Sequence, residues 1–232
     1  MKTNLEIAGI NIEITRKKVK NLNLRVYPSK GRVALSCPRQ TSQFIIEDFI
    51  KEKKVWIRKQ LKKGANRSEK KKLNYITGEY LPVWGKPRLL KVVNIGGKQR
   101  VELRDNDKVK LYVRGNSTSK KREKIVDEWY RVQLKLIIPQ MISKWEPVMG
   151  VQVNEFGVKK MKTRWGTCNI RDKRIWLNLE LAKLEPHCLE YIVVHEMVHL
   201  RERLHNKRFY TYMDQFLPEW KSTDKELKNY WI

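Results

Sequence analysis

Apolar and polar residues alternate along the first part of the chain. Ile10, Ile12 and Ile14 are separated by polar residues, and Leu22, Leu24 and Val26 repeat the pattern. A period of two marks a strand with one buried face. The turn "PSKG" leads into Val33 and Leu35, and Pro38 closes the run. From Ser42 the period lengthens. Ile45, Phe49 and Trp56, with Ile46, Ile50, Ile57 and Leu61, mark the apolar face of a helix, with Ser42 as N-cap and Gly64 as its stop.

The segment 62–74 is polar and basic without apolar period, and reads as a linker or exposed loop. Across 51–72 the only acids in a dense run of Lys and Arg are Glu52 and Glu69. "YITGEYLPVWGKPRLLKVV" and the apolar positions up to Val113 predict short strands and hairpins. After the break "RGNSTSKK", a long helix is predicted from Ser119 toward Trp145, with Pro139 as a kink or end. Two extended runs, "VKKMKTRWGTCN" and "RIWLNLEL", flank "IRDK" and predict a hairpin. Pro186 marks the start of a further helix, with Glu190 in its first turn. Strands and helices mix without a regular βαβ alternation, so the fold class is α+β. The chain divides into strands plus a helix (1–74), a β-hairpin region (75–118) and a C-terminal domain (119–232).

That last helix carries the chemistry. The chain has four histidines, and His195, His199 and His205 fall within "YIVVHEMVHLRERLHNKRFY". His195 and His199, four residues apart, share one helical face and reach one metal ion. Glu196 lies about 100° round the helix, beside that face, where a carboxylate meets water rather than metal. This is the H-E-x-x-H pattern of zinc hydrolases, with the glutamate as proton acceptor. Val193, Met197, Leu200 and Leu204 predict a narrow apolar stripe on the opposite face.

A catalytic zinc takes three protein ligands and keeps one open position. On a straight helix His205 would lie about 9 Å beyond His199, so the helix must break, and the break is expected near Arg201 to Leu204. Peptidases of the H-E-x-x-H-x-x-G-x-x-H type turn at a glycine, but Glu202 stands there in this chain. Asp214, Glu219 and Glu226 remain alternative third ligands. His187 falls off the metal face, and Cys188 lies nearly two turns too early for the same ion.

"HEMVHLRERLHNKRFY" and "KTRWGTC", the latter followed by Leu177-Asn178, resemble the motifs of the YgjP-like metallopeptidases, a zincin group related to the SprT-like and WLM-type proteases. "VWIRKQL" and "YITGEYLPVWG" extend the resemblance over nearly the whole chain. After the β-rich N-terminal part read from the alternation, the resemblance implies a zincin-like catalytic domain. It also implies zinc on His195, His199 and His205, and Glu196 as base. It names no substrate.

The "RWGTC" segment has two readings. Arg164, Trp165, Gly166 and Thr167 could bind a peptide substrate as an added strand, with Arg164 or Lys162 stabilising an oxyanion. Alternatively the segment is a packing hairpin anchored by Trp165, with Cys168 buried.

Composition adds partners and compartment. The net charge is +26, from 51 Lys and Arg against 25 Asp and Glu, in a chain of 232 residues. Such a field draws phosphates and nucleic acid, though a lysine-rich solvated surface gives the same number. Cys37, Cys168 and Cys188 are odd in number and widely spaced, which fits a reducing, cytoplasmic home. The chain shows no signal-type block and no apolar run of about 20 residues, so no membrane partner is expected. Composition leaves the oligomeric state open. Three function classes follow: a zinc peptidase; a metal-dependent hydrolase of nucleotides or phosphoesters; and a nucleic-acid-associated module with structural zinc.

Overall fold

A computed structural model describes residues 2–65, 73–104 and 108–230. Most of the expected linker, 66–72, lies outside the described residues. The fold is α+β. It comprises two compact units, Met1–Lys72 and Leu73–Ile232.

In the first unit, β1 (Lys2–Ile7), β2 (Ile10–Arg16), β3 (Asn23–Tyr27) and β4 (Arg32–Cys37) form a sheet in the order β1-β2-β4-β3. β2 and β4 run parallel and the other pairs antiparallel. The alternating residues Ile10, Ile12, Ile14, Val33 and Leu35 share a core with Ile46, Ile50 and Ile57 of α1 (Gln43–Ala65). Ser42 accepts the Ile45 amide, as an N-cap does. Two expectations fail here. Ile45 and Trp56 are exposed, because the buried face is narrower than the apolar one. The helix also passes through Gly64 to Ala65, since a helical glycine costs only about 1 kcal/mol.

The second unit opens with β5 (Tyr80–Val83), β6 (Lys86–Asn94), β7 (Arg100–Arg104) and β8 (Lys108–Val113), in the order β5-β6-β8-β7. Trp84 and Gly85 both take positive φ, which a two-residue hairpin turn following the strand twist requires. α2 (Ser119–Met149) starts where Thr118 accepts the Lys121 amide and ends at Gly150, φ +61°. It runs through Pro139 and Pro147, so Pro139 does not end it. Val126, Tyr130, Leu134, Ile138, Ile142, Trp145 and Met149 recur at three or four residues and form its buried face.

A second sheet holds β9 (Glu155–Lys159), β10 (Gly166–Asn169) and β11 (Arg174–Asn178), in the order β10-β11-β9. β10 and β11 make the expected hairpin, turning at Lys173 with φ +48°. The residues around Val158 do not belong to it. They form β9, which pairs parallel to β11. Three helices follow: α3 (Pro186–Val198), α4 (Lys207–Phe216) and α5 (Trp220–Tyr230). One core joins Leu90 of β6 and Leu111 of β8, the inner face of α2, Ile175 and Leu177 of β11, and α3. Glu190 lies beyond the first turn of α3, and its carboxylate instead accepts from Lys144 and the Trp145 indole of α2 at 2.6 and 3.0 Å. Among the described residues, no helix is long and apolar enough to cross a membrane.

Candidate metal centre

The site is built on the end of α3. This helix is buried on nearly every side: Ile192, Val193, Val194, Met197 and Val198 all lie in the core. The predicted narrow stripe is therefore wrong. Leu204 is 63% exposed, because the helix has ended before it. Helical structure stops at Val198, three residues before the expected break, and His199 caps it in the right-handed region. The chain tightens there through bonds from the Leu200 amide to Met197 and the Arg201 amide to Val198, at 3.0 and 2.9 Å.

No residue from 199 to 206 takes a positive φ, so the reversal needs no glycine and tolerates Glu202. Side chains hold it instead. Arg201 donates to the Met149 carbonyl at 2.7 Å, at the end of α2, and Glu202 accepts the Leu204 amide at 3.2 Å. Asn206 then caps α4 by accepting the Phe209 amide at 3.0 Å.

These turns bring the three histidines together. The rings of His195, His199 and His205 have centroids 5.1, 5.0 and 4.8 Å apart, a near-regular triangle. One nitrogen from each lies within 4.8 Å of the others, and the Nε2 atoms of His195 and His205 are 3.0 Å apart. The Nδ1 of His199 faces the Glu202 carbonyl at 3.2 Å. A carbonyl only accepts, so Nδ1 carries the proton and Nε2 keeps a free lone pair. Burial, then the His199 and His205 rings, push the His195 pKa down to about 3. Burial likewise lowers that of His199. Neutral imidazoles with convergent lone pairs fit a divalent metal.

Phe209 lies beneath all three rings, with centroid distances of 4.9, 4.8 and 4.6 Å to His195, His199 and His205. It is fully buried. The sequence motif included Phe209 without giving it a role; it stands four residues after His205, in the first turn of α4.

Glu196 is 5% exposed and turns toward β10. A Cβ on Gly166 would sit 2.6 Å from the Glu196 Oε1. Gly166 is therefore glycine because the carboxylate lies against the strand. Burial raises the Glu196 pKa to about 8, opposed in part by the positive charge of Arg164. A carboxyl that titrates near neutrality suits proton transfer.

The loop before β10 hangs on Asn178, which is wholly buried. Its amide donates to the Met161 and Arg164 carbonyls at 3.1 and 2.8 Å. Its oxygen accepts the Met161 and Glu180 amides, both at 3.2 Å. Asn178 thus uses its full bonding capacity to fix 161–165. The motif drew attention to Leu177-Asn178, but only the three-dimensional contacts show what the amide holds.

A cleft of about 1300 Å³ opens over these groups. Arg164, Trp165, Gly166 and Thr167 line one wall, His195, Glu196, His199 and His205 the floor, and Asp224, Leu227 and Lys228 of α5 another wall. β10 is an edge strand of its sheet. Trp165 packs partly against the core while facing the cleft. Arg164 is exposed and Thr167 half-buried. Cys168 also faces the cleft, with its thiol pushed up to about 12 by burial.

Two of the alternative third ligands are engaged elsewhere. Asp214 accepts from the Trp220 indole at 2.8 Å and pairs with Lys221 at 2.9 Å. Glu226 meets His187 at 2.8 Å. Glu219 belongs to no group of potential ligands among the described residues.

Residues 20–230 match the family model described as YgjP-like, metallopeptidase domain. Among solved structures, 39% of the chain is similar to the crystal structure of the metallopeptidase zymogen abylysin of Pyrococcus abyssi, at 19% identity over 90% of that chain, TM-score 0.36. The same share is similar to the metallopeptidase zymogen jannalysin of Methanocaldococcus jannaschii, at 18% identity over 92% of that chain, TM-score 0.35. A search of the curated proteins finds no match.

Proposed function

Because the chain belongs to the YgjP-like metallopeptidase family, we propose that it is a zinc peptidase with Glu196 as its general base. A metallopeptidase domain implies a divalent metal and a peptide or protein substrate. The finer reading rests on one observation: three imidazole nitrogens within 4.8 Å of one another, beside a buried carboxyl laid against a glycine.

His195, His199 and His205 would hold the ion. An all-nitrogen, neutral donor set favours zinc over magnesium or calcium, which prefer oxygen. Three protein donors leave a coordination position open, as catalytic rather than structural sites do. When bound, zinc supplies Lewis acidity, polarising the scissile carbonyl and making water nucleophilic near neutral pH.

The chain's own groups do the rest. Glu196 takes the proton of the attacking water and returns it to the leaving amine. The unpaired edge of β10 offers backbone donors and acceptors to an extended peptide, which would bind as an added strand. Arg164, at the cleft rim, supplies positive charge to the developing oxyanion. Trp165, anchored in the core, gives the wall a rigid aromatic surface. The free cysteines Cys37, Cys168 and Cys188 fit a reducing compartment.

The test compares wild type with Glu196→Ala on casein and a peptide library, together with metal analysis. Glu196→Ala keeps the wild-type metal content and loses about 10²–10⁴-fold in rate. Unchanged turnover would remove Glu196 from the mechanism. Cleavage of phosphodiesters but not peptides would instead assign the cleft to phosphoester chemistry.

A further inference from the structure

α3 carries metal-binding chemistry at both ends. The histidine triangle sits at its C-terminus. In its first turn stand His187 and Cys188, neighbours in sequence whose side chains fold together. The Cys188 Sγ lies 3.5 Å from the His187 Nε2. Glu226 reaches across from α5, with Oε2 at 2.8 Å from the imidazole and Oε1 at 3.6 Å from the sulfur. One thiol, one imidazole and one carboxylate thus converge, their donor atoms all within 4.8 Å.

Those distances can be compared with what a metal needs. Tetrahedral zinc bonds sulfur at about 2.3 Å and nitrogen or oxygen at about 2.0–2.2 Å, so its donors stand roughly 3.3–3.6 Å apart. The sulfur–imidazole edge, 3.5 Å, already has that length, and Oε1 of Glu226 stands 3.6 Å from the sulfur while Oε2 faces the imidazole. The edge between imidazole and carboxylate is a hydrogen bond that opens by about half an ångström to admit the ion.

We propose that His187, Cys188 and Glu226 form a second metal site, taking a zinc-class divalent cation that ties α5 to the first turn of α3. A thiol with an imidazole selects zinc and its d-block neighbours over magnesium and calcium. On binding, the Cys188 S–H breaks, the sulfur bonds the metal and the proton leaves to solvent. The N-terminal end of α3 carries partial positive charge, which opposes a cation. The thiolate and the Glu226 carboxylate bring two negative charges to offset it. Cys188 is buried, but His187 and Glu226 are exposed, so the ion approaches from their side and water can fill the fourth position.

The site has a consequence for the cleft. Asp224, Leu227 and Lys228, flanking Glu226 on α5, form a cleft wall. A bond from metal to Glu226 fixes that wall against α3, adding to the contact of the Tyr191 hydroxyl with Asp224 at 3.3 Å.

The test is a Co²⁺ titration of the chelator-stripped full chain, following the near-ultraviolet thiolate-to-cobalt charge-transfer absorption. The three-histidine site has no thiolate, so the band reports the second site and not the first. The band should saturate by two added equivalents, one for each site, persist in Cys168→Ser and vanish in Cys188→Ser. His187→Ala and Glu226→Gln alter exposed side chains and keep the fold if Cys188→Ser does not. Each should weaken the band's Co²⁺ affinity by at least about tenfold. No band at saturating Co²⁺, a band retained in Cys188→Ser, or affinities unchanged in both exposed variants overturns the proposal and leaves the histidine centre untouched.

Discussion

The contact between Gly166 and Glu196 makes the sharpest demand on the proposed mechanism, and Gly166→Ala probes it with a single methyl group. The new Cβ would lie 2.6 Å from Oε1, 2.7 Å from Cγ and 2.9 Å from Cδ of Glu196. Favourable contact with carbon begins at about 3.5 Å, so the carboxylate or the strand must retreat by roughly 0.8 Å. The strand is held, since Gly166 pairs with Leu177 of β11 in the hairpin. The end of a glutamate side chain yields more easily. Glu196 is only 5% exposed, however, so it yields within a packed site at the cleft floor. The fold should pay about 1–3 kcal/mol for the overpacking. A misplacement on the order of 1 Å costs about 10²-fold in rate, or about 2.7 kcal/mol of barrier. Turnover of a peptide identified by library screening measures the rate, metal analysis the ligands, and thermal unfolding the fold. The expected result is a rate about 10²-fold lower with metal content unchanged. Wild-type turnover would refute the placement of Glu196 as base. Metal lost in step with activity would show that the methyl disturbs the histidines instead.

Phe209→Ala removes the ring beneath all three imidazoles; it should cost about 3–5 kcal/mol in denaturant unfolding and weaken metal binding in a competition titration. Asn178→Ala strips the partners from two carbonyls and two amides, so it should destabilise the fold by at least about 1–3 kcal/mol and raise KM through the loosened 161–165 loop. Glu202→Gly restores the glycine of the longer zinc-peptidase motif. It should nonetheless lower the melting temperature, since the backbone at 202 needs no positive φ and the glycine loses the bond to the Leu204 amide, a cost of about 0.5–1 kcal/mol in backbone entropy alone.

Local periodicity carried much of the fold. The alternation at Ile10, Ile12 and Ile14 specified a strand, and the strand is there because one face meets α1. The same reasoning went wrong where burial depends on distant partners. Apolar residues all round α3 are buried by α2, β10, β11, α4 and α5 together, and no stripe in a single helix reveals that. Nor could a local reading separate β9 from the hairpin, because its parallel partner, β11, comes only after an intervening loop and β10. Pro139 shows the limit from the other side: tertiary packing along one long buried face outweighs the penalty that a proline carries in an isolated helix.

At the site, the sequence made His195, Glu196 and His199 legible, because four residues on a helix fix their relation. His205 was harder. Its approach depends on where α3 stops, and an unbroken helix would have continued the apolar positions to Leu204. What ends the helix is a set of bonds to groups far along the chain or just beyond the turn: Arg201 to the Met149 carbonyl, Glu202 to the Leu204 amide, and Asn206 to Phe209. Together they replace the conformational freedom that glycine provides elsewhere. The last of them also sets Phe209 under the rings, so one asparagine both starts α4 and floors the candidate metal centre. The proposed base is governed by the same logic at longer range. Glu196 lies where it does because residue 166, thirty positions earlier, has no side chain, and residue 166 is held there by the loop that Asn178 supports. A motif can list the residues that touch a metal; the residues that aim them are found only through the contacts they make.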